Sequence, residues 1–231
     1  MATSPTLRLV KDELYGFAKS KVMLVLWVIL PLIAIAGYLL LRGNEKIGMD
    51  PDSKMSASVF MSLILSSLSG TVAALMVAVD LVSERQRKVF ELFIIRPIRR
   101  EVIIWSKFIA VFLVVTMACI LSMALGIAID TIRGDAFTSA MAYDTLKGMA
   151  QLVSVIGLSA AVGVICGVLA RSILVAVLLI LYGGQNLTIV PMLPTYLGVL
   201  PDQFWVFQAI SLILILVLTF LASLAFRRSQ F

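Results

Sequence analysis

Residues 83–101 read SERQRKVFELFIIRPIRRE, and this stretch decides the fold. It holds six of the chain's 19 Lys and Arg residues, yet a long apolar run lies on each side of it. Of the 231 residues, 61% are hydrophobic and 14% are charged, against about 25% charged in an average soluble domain. A basic island between such runs is the mark of a polytopic membrane protein.

Apolar runs recur at about 22–41, 56–81, 107–129, 146–170, 172–190 and 204–226. A spanning helix needs about 20 apolar residues. Lipid offers no partner for free backbone N–H and C=O groups, and these runs are too long and continuous for barrel strands, so the chain is expected to be all-α with six transmembrane helices in a single transmembrane domain over residues 1–231. Ala34-Ile35-Ala36 faintly resembles a signal-peptide cleavage site, but the apolar run continues to Leu41 and 21 residues precede it. A retained first span is therefore expected.

Basic residues bias spanning helices toward a cytoplasmic location of their flanking loops. With both termini inside, the outer loops hold only Arg42, Lys46, Lys54, Arg133 and Lys147 of the 19 basic residues, together with Glu45, Asp50, Asp52, Asp130, Asp135, Asp144 and Asp202. The net charge of +6 thus reflects membrane topology and gives no reason to expect a nucleic-acid partner. Ahead of the first span, Leu7, Val10, Leu14 and Phe17 follow helical spacing within residues 5–21, while Arg8, Lys11, Asp12 and Lys19 lie largely elsewhere. This reads as an amphipathic helix on the inner membrane interface, in contact with lipid.

Several chemistries are excluded. The chain has no His, the commonest general base and metal ligand, so neither a metal site nor a catalytic site is expected. It has no G-x-x-x-x-G-K-[ST] run and therefore no P-loop of its own, and no cofactor is expected on this chain. Cys119 and Cys166 fall inside spans 3 and 4, where apolar packing is the default. Asp80 is the sole acid embedded in an apolar run; it sits near the inner end of span 2, where pairing with Arg85 or Lys107 would hold it. With no deeper ionisable group, a proton- or sodium-coupled carrier is disfavoured.

Positive-inside bias accounts for the charge of the opening stretch but not for its pattern. On a helix, Glu84, Arg87, Lys88 and Glu91 form one stripe at i, i+3, i+4 and i+7. Glu84 and Lys88 stand in the favourable acid-before-base i,i+4 order. Phe90, Phe93 and their apolar neighbours surround the stripe, which is more greasy surface than a solvated loop needs. Pro97 ends the helix at Arg96, because it lacks an N–H and pushes the preceding residue out of the helical region. A second helix then starts near Ile98 and runs into span 3, longer than a bilayer core. Residues 84–101 thus form a rigid cytoplasmic elbow with the chemistry of a docking device.

The run ERQRKVFELFIIRPIRREVIIWSKFIAV resembles the corresponding stretch of type-2 ABC exporter permeases at Glu84, Arg85, Arg87, Glu91, Leu92, Pro97, Ile98, Arg100, Lys107 and Ala110. It departs from that pattern at Gln86, at Lys88-Val89 in place of Gly-Thr, and at Ser106 in place of Gly. The resemblance implies a membrane subunit with a second permease chain, a homodimer or a related paralogue, seated on two copies of an ABC ATP-binding subunit that carries ATP and Mg. An accessory extracytoplasmic protein is a further partner it allows, and a bacterial or archaeal plasma membrane is the implied location. It makes 84–101 the coupling helix, with Glu84, Arg87, Lys88, Phe90, Glu91, Phe93, Pro97 and Arg100 as the ATPase-coupling residues. It also sets span 2 near the dimer axis, where Ser62, Ser66 and Ser69 would line a translocation path.

Packing is the plainer reading of those serines, since Ser62, Ser66, Ser69, Gly70 and Ala73 make a small-residue face on span 2 and Gly163-x-x-x-Gly167 makes one on span 4. Spans 4 and 5 meet at Ala170-Arg171-Ser172, which allows only a tight inner hairpin. Gly183-Gly184, Gln185-Asn186 and Pro191, Pro194 and Pro201 interrupt the chain after span 5, so 183–203 reads as a partly re-entrant external segment that needs protein cover. The leading functional expectation is a permease subunit of an ATP-driven exporter, moving a lipophilic or amphipathic substrate. The alternative is a non-transporting membrane scaffold that recruits cytoplasmic partners or passes conformational work across the membrane. An intramembrane enzyme would need a polar catalytic constellation at membrane depth, and the sequence has none.

Overall fold

The computed structural model describes residues 5–43, 57–87, 100–132, 139–184, 190–192 and 204–228. Among these residues the chain is helical and contains no strand. Helix α1 spans Pro5–Lys19, α2 Lys21–Gly43, α3 Ala57–Gln86, α4 Arg100–Ile132 and α5 Ser139–Leu169. Helix α6 spans Ile173–Leu179 and runs directly into a π turn, Ile180–Gly184; a 3₁₀ turn at Val190–Met192 and helix α7, Phe204–Arg228, follow.

Among the described residues four segments are long and apolar enough to cross a membrane: Ile64–Gln86, Glu101–Ile129, Ala142–Leu169 and Phe204–Phe226. The first expected span coincides with α2, a helix of 23 residues. The fifth is the shorter apolar helix Ile173–Gly184, and residues 185–189 of that run lie outside the described residues. Two helices overshoot the apolar runs that predict them. Helix α3 continues past Leu81 to Gln86, and α4 starts at Arg100, seven residues before the apolar run begins at Lys107. Its 33 residues are about 50 Å long at 1.5 Å per residue, against a bilayer core of about 30 Å.

Pro5 opens α1, a position where its missing N–H costs nothing. Lys11, Asp12, Tyr15 and Lys19 face outward, whereas Phe17 packs against the core. The apolar side of α1 docks on α4. The amphipathic spacing thus has a protein surface to cover it.

The centre of the fold is the α3–α5 pair. Its tightness follows from residue size. A Cβ at Gly163 would lie 2.7 Å from the Ala74 Cα, and one at Gly167 would lie 3.0 Å from the Ala78 Cα. The two glycines, four apart on α5, therefore receive two alanines, four apart on α3, at backbone contact. Val77 and Leu81 of α3 and Ile156, Ala160 and Val164 of α5 extend this seam as part of the buried core. Helix α4 closes one side with Ile104, Val111 and Val115, and α2 and α7 add Leu26, Leu30, Ala222 and Phe226. The opposite face of α7, including Leu212, Ile213, Leu216 and Phe220, is exposed, as expected of a surface against hydrocarbon.

Hydroxyls inside the helices turn back on their own backbone. Ser69 donates to the Leu65 carbonyl, Ser122 to Ala118 and Thr219 to Ile215. Each satisfies itself without water. The α5–α6 hairpin turns at residues 170–172: the Ala170 N–H donates to the Cys166 carbonyl at 2.8 Å, and Ser172 caps α6 by accepting from the Val175 N–H.

Candidate functional site

Lys107 lies about 10 Å along α4 from Arg100, two turns into the helix, and its side chain is 1% exposed. A buried ammonium needs partners for each of its three N–H bonds, because an unpaired charge in that setting costs several kcal/mol. It finds three carboxylates. Nζ donates to Asp80 Oδ2 at 2.6 Å and Glu84 Oε1 at 2.7 Å, both on α3, and lies 2.9 Å from Glu13 Oε1 on α1. The i,i+4 spacing of Asp80 and Glu84 places both on the face of α3 that meets α4. Three helices, distant in sequence, are thus tied at one nitrogen. The acids retain 23–28% exposure and so rim the cluster, while Lys107 fills its centre. The second oxygen of Glu84, Oε2, is buried with no hydrogen-bond partner.

One residue further along α3, Arg85 turns the other way. Its guanidinium donates to the Ala170 carbonyl at 3.0 Å and the Val168 carbonyl at 2.8 Å. These are among the carbonyls that the end of α5 leaves without intrahelical partners, and the negative end of that helix dipole favours a cation there. The C-terminal end of α3 is therefore fastened to α4 and α1 through its acids and to the α5–α6 hairpin through Arg85. It leads directly into residues 88–99.

Of the residues assigned to coupling from sequence, Glu84 belongs to this cluster and faces Lys107. Arg87 is exposed and closes the last turn of α3, its N–H donating to the Ser83 carbonyl. Arg100 opens α4. Lys88, Phe90, Glu91, Phe93 and Pro97 lie outside the described residues. Asp80 pairs with Lys107, one of its two expected partners, and Arg85, the other, serves helix α5. Glu13 was not foreseen. Its signal was present: it stands three residues from Val10 and four from Phe17, so an acid sits on the apolar side of α1.

The serines of the expected translocation path divide. Ser69 is fully buried and Ser62 is 6% exposed, its Oγ within 2.7 Å of where a Gly148 Cβ would be. Both are consumed in packing inside the chain. Ser66 is half-buried and is the one of the three that a neighbouring chain could approach. A further polar pair, Ser154 donating to Gln208, links α5 to α7. Among the described residues no cluster of Cys, Asp or Glu is arranged to hold a metal ion.

A protein-family model described as ABC-2 family transporter protein matches residues 9–185. The match takes in most of α1, the ion cluster, the α3–α5 seam and the α5–α6 hairpin. No curated protein matches the chain.

Proposed function

The chain belongs to the ABC-2 transporter family, and from that premise we propose that it is the membrane-spanning permease subunit of an ATP-driven exporter whose ATPase is a separate chain. The observation that carries this reading is the Lys107 cluster. It joins α1, α3 and α4 at the end of the molecule next to the elbow, where a force from a docked ATPase would enter. A loosely held elbow would dissipate such a push. An elbow whose two flanking helices share a buried ammonium moves them as a unit and takes α1 with them. ATP and Mg belong on the partner in this account, and this chain supplies the path and the lever.

The proposed topology has six spans, with α2 and the Ile173–Gly184 segment completing the four longer ones, and both termini inside. On a background lacking Cys119 and Cys166, single cysteines at Gly48 and Ala136 should react with an impermeant maleimide from outside sealed cells. Cysteines at Gln86 and Arg228 should react only after permeabilisation. Labelling of position 86 from outside would place the ion cluster on the wrong side and end the coupling account.

The chain is proposed to work as a dimer on two ATPase subunits, with α3 of each copy toward the axis and Ser66 the most accessible of Ser62, Ser66 and Ser69. Docking would use Glu91 and the Phe90/Phe93 face of the elbow. A charge-assisted hydrogen bond at such a surface contributes about 1.5–3 kcal/mol, so Glu91→Ala should weaken ATPase association by about tenfold to a hundredfold. Phe93→Ala should act in the same direction, whereas Arg171→Ala, on the exposed α5–α6 turn, should change little. Binding of the purified permease to a candidate P-loop ATPase, measured by interferometry, reads this directly. Unchanged affinity in both elbow variants would reduce the stretch to a positive-inside loop.

A further inference from the structure

A cleft of about 500 Å³ opens between α1 and α3, beside the Lys107 cluster. Its size suits a small organic ligand, for which pockets run from about 300 to 1,000 Å³. Phe17 of α1 and Leu75, Met76 and Val79 of α3 line its apolar part, and Glu13 and Asp80 line its polar end. These two carboxylates also hold Lys107, each retaining about a quarter of its exposure.

The charges of the cluster do not cancel. Among the described residues one ammonium faces three carboxylates, a formal sum of −2. Among the described residues, Arg85 donates to the carbonyls of α5, and Lys19 lies over the Tyr15 ring at 4.5 Å. Net negative charge at the mouth of an apolar cleft attracts a positive group and repels a negative one. The apolar wall asks in turn for a hydrocarbon chain.

We propose that the cleft between α1 and α3 binds a single-chain amphiphile with a cationic ammonium head, its chain against Phe17, Leu75, Met76 and Val79 and its head against Asp80 and Glu13. The proposal deepens the transport reading, since it rests on α1 lying at the inner interface, and it names the substrate class that would enter there. An anionic amphiphile would meet the excess carboxylate charge, and a neutral one would leave it unanswered. A bound ammonium would also contact two of the three acids that position Lys107, so occupancy of the cleft and the setting of the lever would be linked.

The test uses the purified full chain in dodecyl maltoside without its ATPase. The probe is a twelve-carbon alkylamine carrying a chain diazirine, compared with the sulfate and the alcohol of identical chain. The amine should photolabel α1 around residues 13–20 and α3 around residues 75–83, and unlabelled dodecylamine should compete. Glu13→Gln and Asp80→Asn should each weaken competition by about tenfold, the loss of one charge-assisted contact at a partly exposed site. Val79→Trp, which fills the cleft from its apolar side, should abolish labelling in protein that remains monodisperse. Equal labelling by the sulfate or the alcohol would overturn the proposal in favour of an unselective greasy cleft. Labelling confined to other helices, or equal competition by a zwitterionic phospholipid, would overturn it as well. Because the measurement needs no ATPase, its failure leaves the permease reading standing, and a failure of coupled transport with binding intact would strike that reading alone.

Discussion

Replacing Lys107 with Met should cost the protein more than any other single change at a charged position. The side chain keeps its length and fits the same space, but Asp80, Glu84 and Glu13 lose their shared counter-ion. Removing one partner from a buried ion pair typically costs about 3–5 kcal/mol, because the charge left behind is uncompensated. Here the acids keep 23–28% exposure and can hydrate or take up protons, which argues for the lower end. About 3 kcal/mol corresponds to a fall of roughly 6–12 °C in apparent Tm for a chain of this size. Fluorescence-detected thermal unfolding of the detergent-purified protein checks it. Lys107→Arg, which retains the charge, should recover part of the loss. Glu13→Gln should be milder than Lys107→Met, since the ammonium then still has two acids. Equal stability of Lys107→Met and wild type would mean that the cluster holds nothing together.

The second large effect is expected at Gly163. In an ordinary helix, Gly→Ala gains about 1 kcal/mol from propensity alone. At Gly163 the added carbon would lie 2.7 Å from the Cα of Ala74, and a backbone atom cannot rotate aside. Helices α3 and α5 would have to separate along the seam that forms the core. Overpacking of this kind costs about 1–3 kcal/mol, so Gly163→Ala should be net destabilising and Gly163→Leu should prevent recovery of monodisperse protein. Gly16 supplies the internal control. It lies within α1 with nothing inside 4 Å of its added Cβ, so Gly16→Ala should stabilise by up to about 1 kcal/mol. Size-exclusion profiles and apparent Tm for the three variants, read side by side, separate close packing from generic helix propensity. A Gly163→Ala protein as stable as the Gly16→Ala protein would contradict the seam.

The helices were legible because hydrocarbon leaves so few options: an apolar run of about 20 residues has to satisfy its own backbone. Close packing at Gly163-x-x-x-Gly167 was legible from residue size, but its partners, Ala74 and Ala78 of α3, were not. Asp80 was legible as an acid requiring a cation, and Lys107 was one of only two named candidates. What sequence could not decide was competition between local and distant partners. Helical spacing offers Glu84 the local Lys88, which lies outside the described residues; the Glu84 carboxylate meets Lys107, 23 residues away, because the docking of α4 brings that ammonium within reach. Glu13 escaped notice for the same reason: its partner exists only after α1 has settled on α4. The serines of span 2 illustrate the remaining ambiguity. Small hydroxyl residues look alike whether they line a path or a helix contact, and burial inside the chain assigns Ser62 and Ser69 to contact.

The coupling account predicts that the cluster passes ATPase motion into the membrane. The most direct measurement places spin labels near the N-terminal end of α5, where Tyr143 is exposed, in both copies of a Tyr143→Cys protein lacking Cys119 and Cys166. The complex with its ATPase is reconstituted in nanodiscs, and the label separation is measured with ADP and with a non-hydrolysable ATP analogue. The account predicts that the distance distribution shifts with nucleotide when Glu13 is intact. In Glu13→Gln, nucleotide should still bind with unchanged affinity while most of the shift is lost, because α1 is no longer tied to Lys107. A nucleotide-dependent shift of the same size in both proteins would contradict the account.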